Sequence, residues 1–426
     1  MEGQFEELAS VLSLSLHRLQ RMPRAMHRAF LSRPSIFRHL RNIKGRFPAN
    51  TLTFLGHQRA NEICLSQLIS RARYSIVVVS DHSFFASDLI GLVEHDHPHI
   101  RVSRIHAENG ECLVIVDDAL AWLGAGDVGI ALEGEIAQAL SDCFRLTMHR
   151  NDLKSHGRGP SSWPVLTRID LENIEVAISR TWTSKDLAPV IENERLLLAA
   201  LRSARRFIYA ETEALTSPVI VNAIASRIRK SDAPEIVIVL PEQTKTRLQF
   251  LQRAALARIQ KADEFGRFRA YSVAQNVNGL LIVDDQFVKI GNAQMTSSSL
   301  GASRAVDVSI EALGRPSVVM SIARLRRERI GRWLTIDASE FDARFLINGS
   351  LIGTIESFFT VARYLDEIRA EATLATQIAF TFSPWLDPKR PQAFKRWVRR
   401  KLLFGPKSWL IALILLTFFA LLVMTM

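Results

Sequence analysis

The chain has 426 residues, long enough for one large unit or two to three ordinary domains, and with 48% hydrophobic against 23% charged residues most of it must bury a core. Its net charge of +11 is concentrated in two acid-free stretches, residues 8–50 with nine Lys or Arg and residues 389–407 with eight. The remainder is therefore net acidic, so a cationic groove for nucleic acid is not expected, whereas attraction of the two flanks to an acidic membrane surface is. Three widely spaced cysteines, Cys64, Cys112 and Cys143, form neither a disulfide framework nor a CxxC metal site and fit a reducing compartment.

In chain order, residues 1–50 read as a basic extension, amphipathic in patches. No long apolar run follows a basic start, which argues against a cleaved signal peptide, and Glu2, Glu6 and Glu7 argue against a transit peptide. A basic helix lying on a membrane is the preferred reading. Residues 51–70 read as a helix leading into a buried strand at 74–80 (YSIVVVS), with further strands at 100–106 and 113–116 and a helix over 133–148. Between them, EHDHPH (94–99) spaces His95, His97 and His99 as on one face of a strand, a pattern open to metal binding or to a polar loop.

The Gly-, Pro- and Ser-rich stretch 154–164 reads as a loop near a lobe boundary. Helices follow at 190–206 and 217–229, the second entered by Ser217-Pro218, and strands at 207–210 and 235–240. A long helix to about residue 262, strands at 267–272 and 280–283, and helices at 318–334 and 351–369 complete the body. The last 19 residues, 408–426, carry no charge. As a helix they span about 28 Å, close to the hydrocarbon thickness of a bilayer, and the Lys/Arg cluster before Trp409 places the body on the cytoplasmic side.

Strands alternating with helices give an α/β fold. The order also repeats: LVIVDDALAWLG (113–124) aligns without gaps with LLIVDDQFVKIG (280–291), 167 residues later, with six of twelve positions identical. Each copy reads as a strand, an Asp-Asp turn and a second strand ending at glycine, so two similar lobes are expected.

The repeated hairpin resembles the HxKxxxxD motif region of the phospholipase D superfamily. SARRFIYAETEALTSP (203–218), EIVIVLP (235–241) and the gapless stretch 280–312 are similar to the bacterial phospholipase D pattern, and residues 71–80 and 113–148 resemble it more weakly. The resemblance implies two lobes, each a mixed sheet flanked by helices, whose motif histidines meet: one attacks phosphorus, the other serves the leaving alcohol, and the lysines hold phosphate oxygens. Its expected organisation is an extension at 1–50, a first lobe at 51–187, a second at 188–345, a helical and basic juxtamembrane segment at 346–407, and a membrane span at 408–426.

Counting back from the motif aspartates, Asp117 and Asp284, the histidine positions hold Gly110 and Val277 and the lysine positions hold Cys112 and Gly279. The supporting positions have changed as well: Gln294 replaces the family's asparagine and Ala305 its glutamate, while Glu211 is kept and followed by Thr212 and Ala214. His106 and Cys112 are the candidate substitutes for the lost nucleophile. The retained Asp-Asp pairs read as structural, their side chains bonding the turn backbone. No P-loop, dinucleotide fingerprint or zinc-protease helix occurs, and no cofactor is expected.

These residues lead to the expectation of a membrane-anchored, catalytically inactive phospholipase D-like protein, in a bacterial inner membrane, that binds phospholipid, a protein partner or an active relative. The alternative is an active phosphodiesterase with a non-standard site. A shortened copy of a multi-span protein is a third reading.

Overall fold

The computed structural model describes residues 35–37, 45–80, 86–107, 112–125, 127–145, 163–164, 167–182, 189–242, 246–275, 277, 279–301, 304–359, 365–371, 373 and 380. The apolar stretch 408–426, residues 1–34 and the 154–162 part of the expected loop lie outside them. Among the described residues no helix is long and apolar enough to cross a membrane.

The first half of the chain runs β1 (Arg46–Leu55), α1 (Gln58–Ile69), β2 (Ser75–Ser80), α2 (Ser87–Asp96), β3 (Arg101–His106), β4 (Cys112–Val116), β5 (Leu120–Ala125), β6 (Val128–Glu133) and α3 (Glu135–Arg145). The second runs β7 (Leu171–Trp182), β8 (Val190–Ile191), α4 (Glu192–Ser203), β9 (Phe207–Glu211), α5 (Pro218–Ile228), β10 (Glu235–Pro241), α6 (Thr246–Ala262), β11 (Phe268–Val273), β12 (Gly279–Val283), β13 (Phe287–Gly291), α7 (Ser297–Gly301) and β14 (Ala305–Glu311). Three helices, α8 (Pro316–Leu334), α9 (Ala338–Asn348) and α10 (Leu351–Glu356), and the short β15 (Asp366–Glu367) follow.

All strands belong to one mixed sheet whose two sides repeat the same order outward from an antiparallel seam between β1 and β7. On one side come β6, β5, β4, β2 and β3; on the other, β14, β13, β12, β9, β10, β11 and β15. In each half an antiparallel three-stranded meander pairs with a strand from earlier in the chain, which then pairs in parallel with its neighbour. The sheet curls so that β13 packs on β5 and β6, although β14, β7 and β1 lie between them in hydrogen-bonding order. One apolar cluster therefore serves both halves, joining Val79, Leu113 and Ile130 to Tyr209, Leu280 and Ile290. The outer face of the first half is covered by α1 and α2, that of the second by α4, α5 and α6.

The sequence reading differs from the structure at four places. Residues 51–55, expected to be helical, belong to β1, where Leu52 and Phe54 are buried between β6 and β7 and the helix waits until Gln58. Strand β7 carries polar residues at its seam and was not expected from its pattern LENIEVAISRTW. The expected helix at 351–369 stops at Glu356, because the free edge of β11 captures Asp366 and Glu367 and Ile368 donates its N–H to Ala270. His95 lies in the last turn of α2 and His97 is its C-cap, so the three histidines do not share a strand. Among the described residues no group of three or more His, Cys, Asp or Glu side chains is arranged to hold a metal.

Candidate functional site

Both copies of the Asp-Asp turn are built alike. Asp117, Asp118, Asp284 and Asp285 all have φ between +52° and +55°. Such mirror-image hairpin turns suit the right-handed twist of the flanking strands and favour Asp, Asn or Gly. Asp117 accepts hydrogen bonds from the backbone N–H groups of Arg73, Tyr74 and Ser75 at 2.8–2.9 Å. Asp284 does the same for Arg205, Arg206 and Phe207 at 2.7–2.9 Å. The motif aspartate thus caps the entry of the neighbouring strand, which is a structural role, and its partners are that strand's amides rather than the turn's own.

Of the four positions expected to handle phosphate, the three that are described have divergent surroundings. Gly110 lies outside the described residues. Cys112 opens β4 half-buried and packs against the apolar cluster beneath α1 and α2. Val277 is 2% exposed and joins the shared core, in the same cluster as Ala107 and Leu113, which flank positions 110 and 112. Gly279 opens β12 opposite Gly291; a Cβ built there would lie 2.2 Å from the Gly291 carbonyl oxygen. That contact is with backbone, so no side chain, lysine included, fits this position without moving the β12–β13 pair. His106 is exposed at the end of β3, the outermost strand on its side of the sheet, paired with Ser80.

The surrounding shell bonds to itself. Gln294 Oε1 accepts from the Thr212 hydroxyl at 2.9 Å and from the Glu213 N–H at 2.7 Å, and Thr212 in turn accepts from the Met295 N–H at 3.1 Å. Ala305 is buried, with its carbonyl accepting from Asn193 at 3.4 Å. Glu211 is buried at the end of β9, beside Leu280. Its carboxylate accepts from Arg329 at 2.7 and 3.0 Å, from the Tyr209 hydroxyl at 2.7 Å and from the Trp333 indole at 3.2 Å. Burial first, and then the charge of Glu211, hold the Tyr209 hydroxyl protonated well above its ordinary range. Burial alone would lower the Arg329 guanidinium, but Glu211 outweighs it and raises it.

Arg329 also donates to the Gly56 carbonyl at 2.9 Å, and Arg332 pairs with Asp127 at 2.5 Å and with Gln275 at 3.0 Å. Helix α8 therefore ties the second half to the first beside the place where the motif strands begin. These arginines were absent from the sequence reading. Their signal was spacing: Arg326, Arg329 and Trp333 fall three and four residues apart, on the stripe that also holds Ile322 and Ile330.

The duplicated strand order, the paired Asp cradles and the central seam form a duplicated α/β fold of the kind the sequence resemblance implies. Comparison with solved structures agrees. The chain is similar to a phosphatidylserine synthase from Haemophilus influenzae, with a TM-score of 0.51 and 10% identity over 69% of this chain and 90% of that one. It also matches Nuc from Salmonella typhimurium, a phospholipase D family member, over 46% of this chain and 98% of that one, with a TM-score of 0.29 and 16% identity. No family model and no curated protein matches the sequence.

Proposed function

We propose that this protein is a non-catalytic phospholipase D-like protein, two-lobed and anchored to a membrane by residues 408–426, that binds a phospholipid headgroup or an active relative instead of hydrolysing a phosphodiester. The observation that carries this reading is the absence of room at Gly279, where the family's phosphate-holding lysine would stand. Val277 supports it, since an apolar side chain buried in the core offers neither a nucleophile nor a proton. Losing nucleophile, acid and phosphate donors together removes the mechanism rather than slowing it. A fold shared with a phosphatidylserine synthase supports a phosphodiester headgroup as the ligand class.

The test is hydrolysis by the full-length protein in detergent, with bis-p-nitrophenyl phosphate and phosphatidylcholine as substrates. No turnover above a protein-free blank is expected. Turnover abolished by His106→Ala or Cys112→Ala would overturn the reading in favour of a phosphodiesterase with a relocated nucleophile.

A further inference from the structure

The net acidity of the chain between its basic flanks conceals an uneven distribution. Among the side chains described, helices α4, α5 and α6 expose Arg195, Arg202, Arg253, Arg258 and Lys261 and no Asp or Glu. The acids of α4 are withdrawn: Glu192 is buried against Arg180, and Glu194 is half-buried. Arg229 and Lys230 extend the basic surface just beyond α5, while the nearby exposed acids, Glu213, Asp232, Glu242 and Glu264, sit in connecting loops. The counterpart layer over the first half has the opposite balance, with α1 and α2 exposing Arg59 against Glu62, Asp88 and Asp96.

Two further observations single out the same layer. Part of the N-terminal basic flank and the chain ahead of the C-terminal one pack on the body there. Ile36 and Phe37 are buried in its apolar cluster, Phe37 edge-on to Phe287 at 6.4 Å, and the Ser35 hydroxyl donates to Glu311 at 2.6 Å. Toward the other flank, Phe380 is buried in that cluster, with Arg258 4.8 Å above its ring. The layer also exposes apolar side chains among its cations, Val219 at the start of α5 and Phe265 just after α6, at 46% and 48%.

We propose that the α4–α5–α6 layer is the face this protein lays against an anionic phospholipid surface. Cations spread over α4, α6 and the chain just beyond α5 match a continuous sheet of headgroup charge, which attracts Lys and Arg within a Debye length. Their aliphatic stems, with Val219 and Phe265, can enter the interfacial region while the charged heads stay at phosphate level. The inference shares its membrane setting with the proposed function but holds whether or not the site hydrolyses anything.

The full-length protein, reconstituted into vesicles of phosphatidylcholine alone or mixed with phosphatidylglycerol, is treated with phenylglyoxal and its arginines are read by mass spectrometry. Arg195, Arg202 and Arg253 are expected to react several-fold more slowly in the anionic vesicles, with Arg59 unchanged as the internal reference and the protection fading at high salt. Equal rates in the two lipids, or equal protection of Arg59, would overturn the proposal. Protection by added RNA without anionic lipid would do the same and assign the layer to nucleic acid. The triple variant R195E/R202E/R253E keeps both flanks and should keep its unfolding temperature, yet the lipid dependence of Arg258 modification should disappear. Persistence of that dependence would mean that the flanks bind alone. Phosphodiester hydrolysis would defeat the proposed function and leave this footprint unchanged.

Discussion

The two halves share a hairpin and differ in what surrounds it. In each, an aspartate at the turn collects three backbone N–H groups from the start of the adjacent strand. Beside Asp117 the first half leaves a cavity of about 360 Å³ lined by Ser70, Arg71, Arg73 and Leu120. In the second half the next aspartate, Asp285, is held by the buried Arg326 at 2.8 and 2.9 Å, and Arg326 packs on the Phe207 and Phe345 rings. The difference teaches that the turn and its cap are what the repeat preserves. The periphery of each half is set by the helices that reach it, as where α8 brings Arg326 to the second hairpin.

The largest effect that sharpens this contrast is expected at the link between halves. Glu211→Ala leaves the Arg329 guanidinium buried without its carboxylate and should destabilise the protein by about 3–5 kcal/mol. Combining it with Arg329→Met should recover most of that loss, because the remaining charge is removed as well. Thermal unfolding of the two variants and the wild type checks both statements. A double variant as unstable as Glu211→Ala would mean that the pair acts through something other than an uncompensated charge.

A smaller effect tests whether the two turns are equivalent. Asp117→Ala and Asp284→Ala each strand three amides and should cost about 2–3 kcal/mol, equal to within about 1 kcal/mol. Denaturant midpoints far apart would break the equivalence of the halves. The smallest effect lies at the lysine positions. Gly279→Ala forces a Cβ against the Gly291 carbonyl and should cost about 1–3 kcal/mol, whereas Cys112→Ala in the first copy should cost less than about 1 kcal/mol. A neutral Gly279→Ala would show that the β12–β13 pair can open, and would remove the main support for a non-catalytic site.

Much of the site was legible before the fold was known. A gapless repeat and a constant Asp-Asp turn announced the two hairpins, whose register follows from the turn and from side-chain alternation, and the family resemblance pointed from them to Gly279 and Val277. Buried runs such as SIVVVS and EIVIVL declared themselves by β-branched, uninterrupted apolarity. Strand β7 did not, because Glu172, Asn173 and Glu175 break its apolar pattern and its place is set by pairing with β1 and β14, far away in sequence. Arg326 and Arg329 share a stripe of α8 with Ile322 and Ile330, and only the acids at Asp285 and Glu211 make their burial tenable.

The sequence by itself determined the repeat and its Asp-Asp turn, and the family resemblance supplied the expectation of which residues stand at the histidine and lysine positions. Only the tertiary structure decided that Gly279 has no room for a side chain, that Arg329 joins Glu211 to the Gly56 carbonyl of the first half, and that the exposed cations of α4 and α6 share one layer. Each of these depends on distant segments brought within a few ångströms of one another. Local propensity and periodicity carry no record of such contacts.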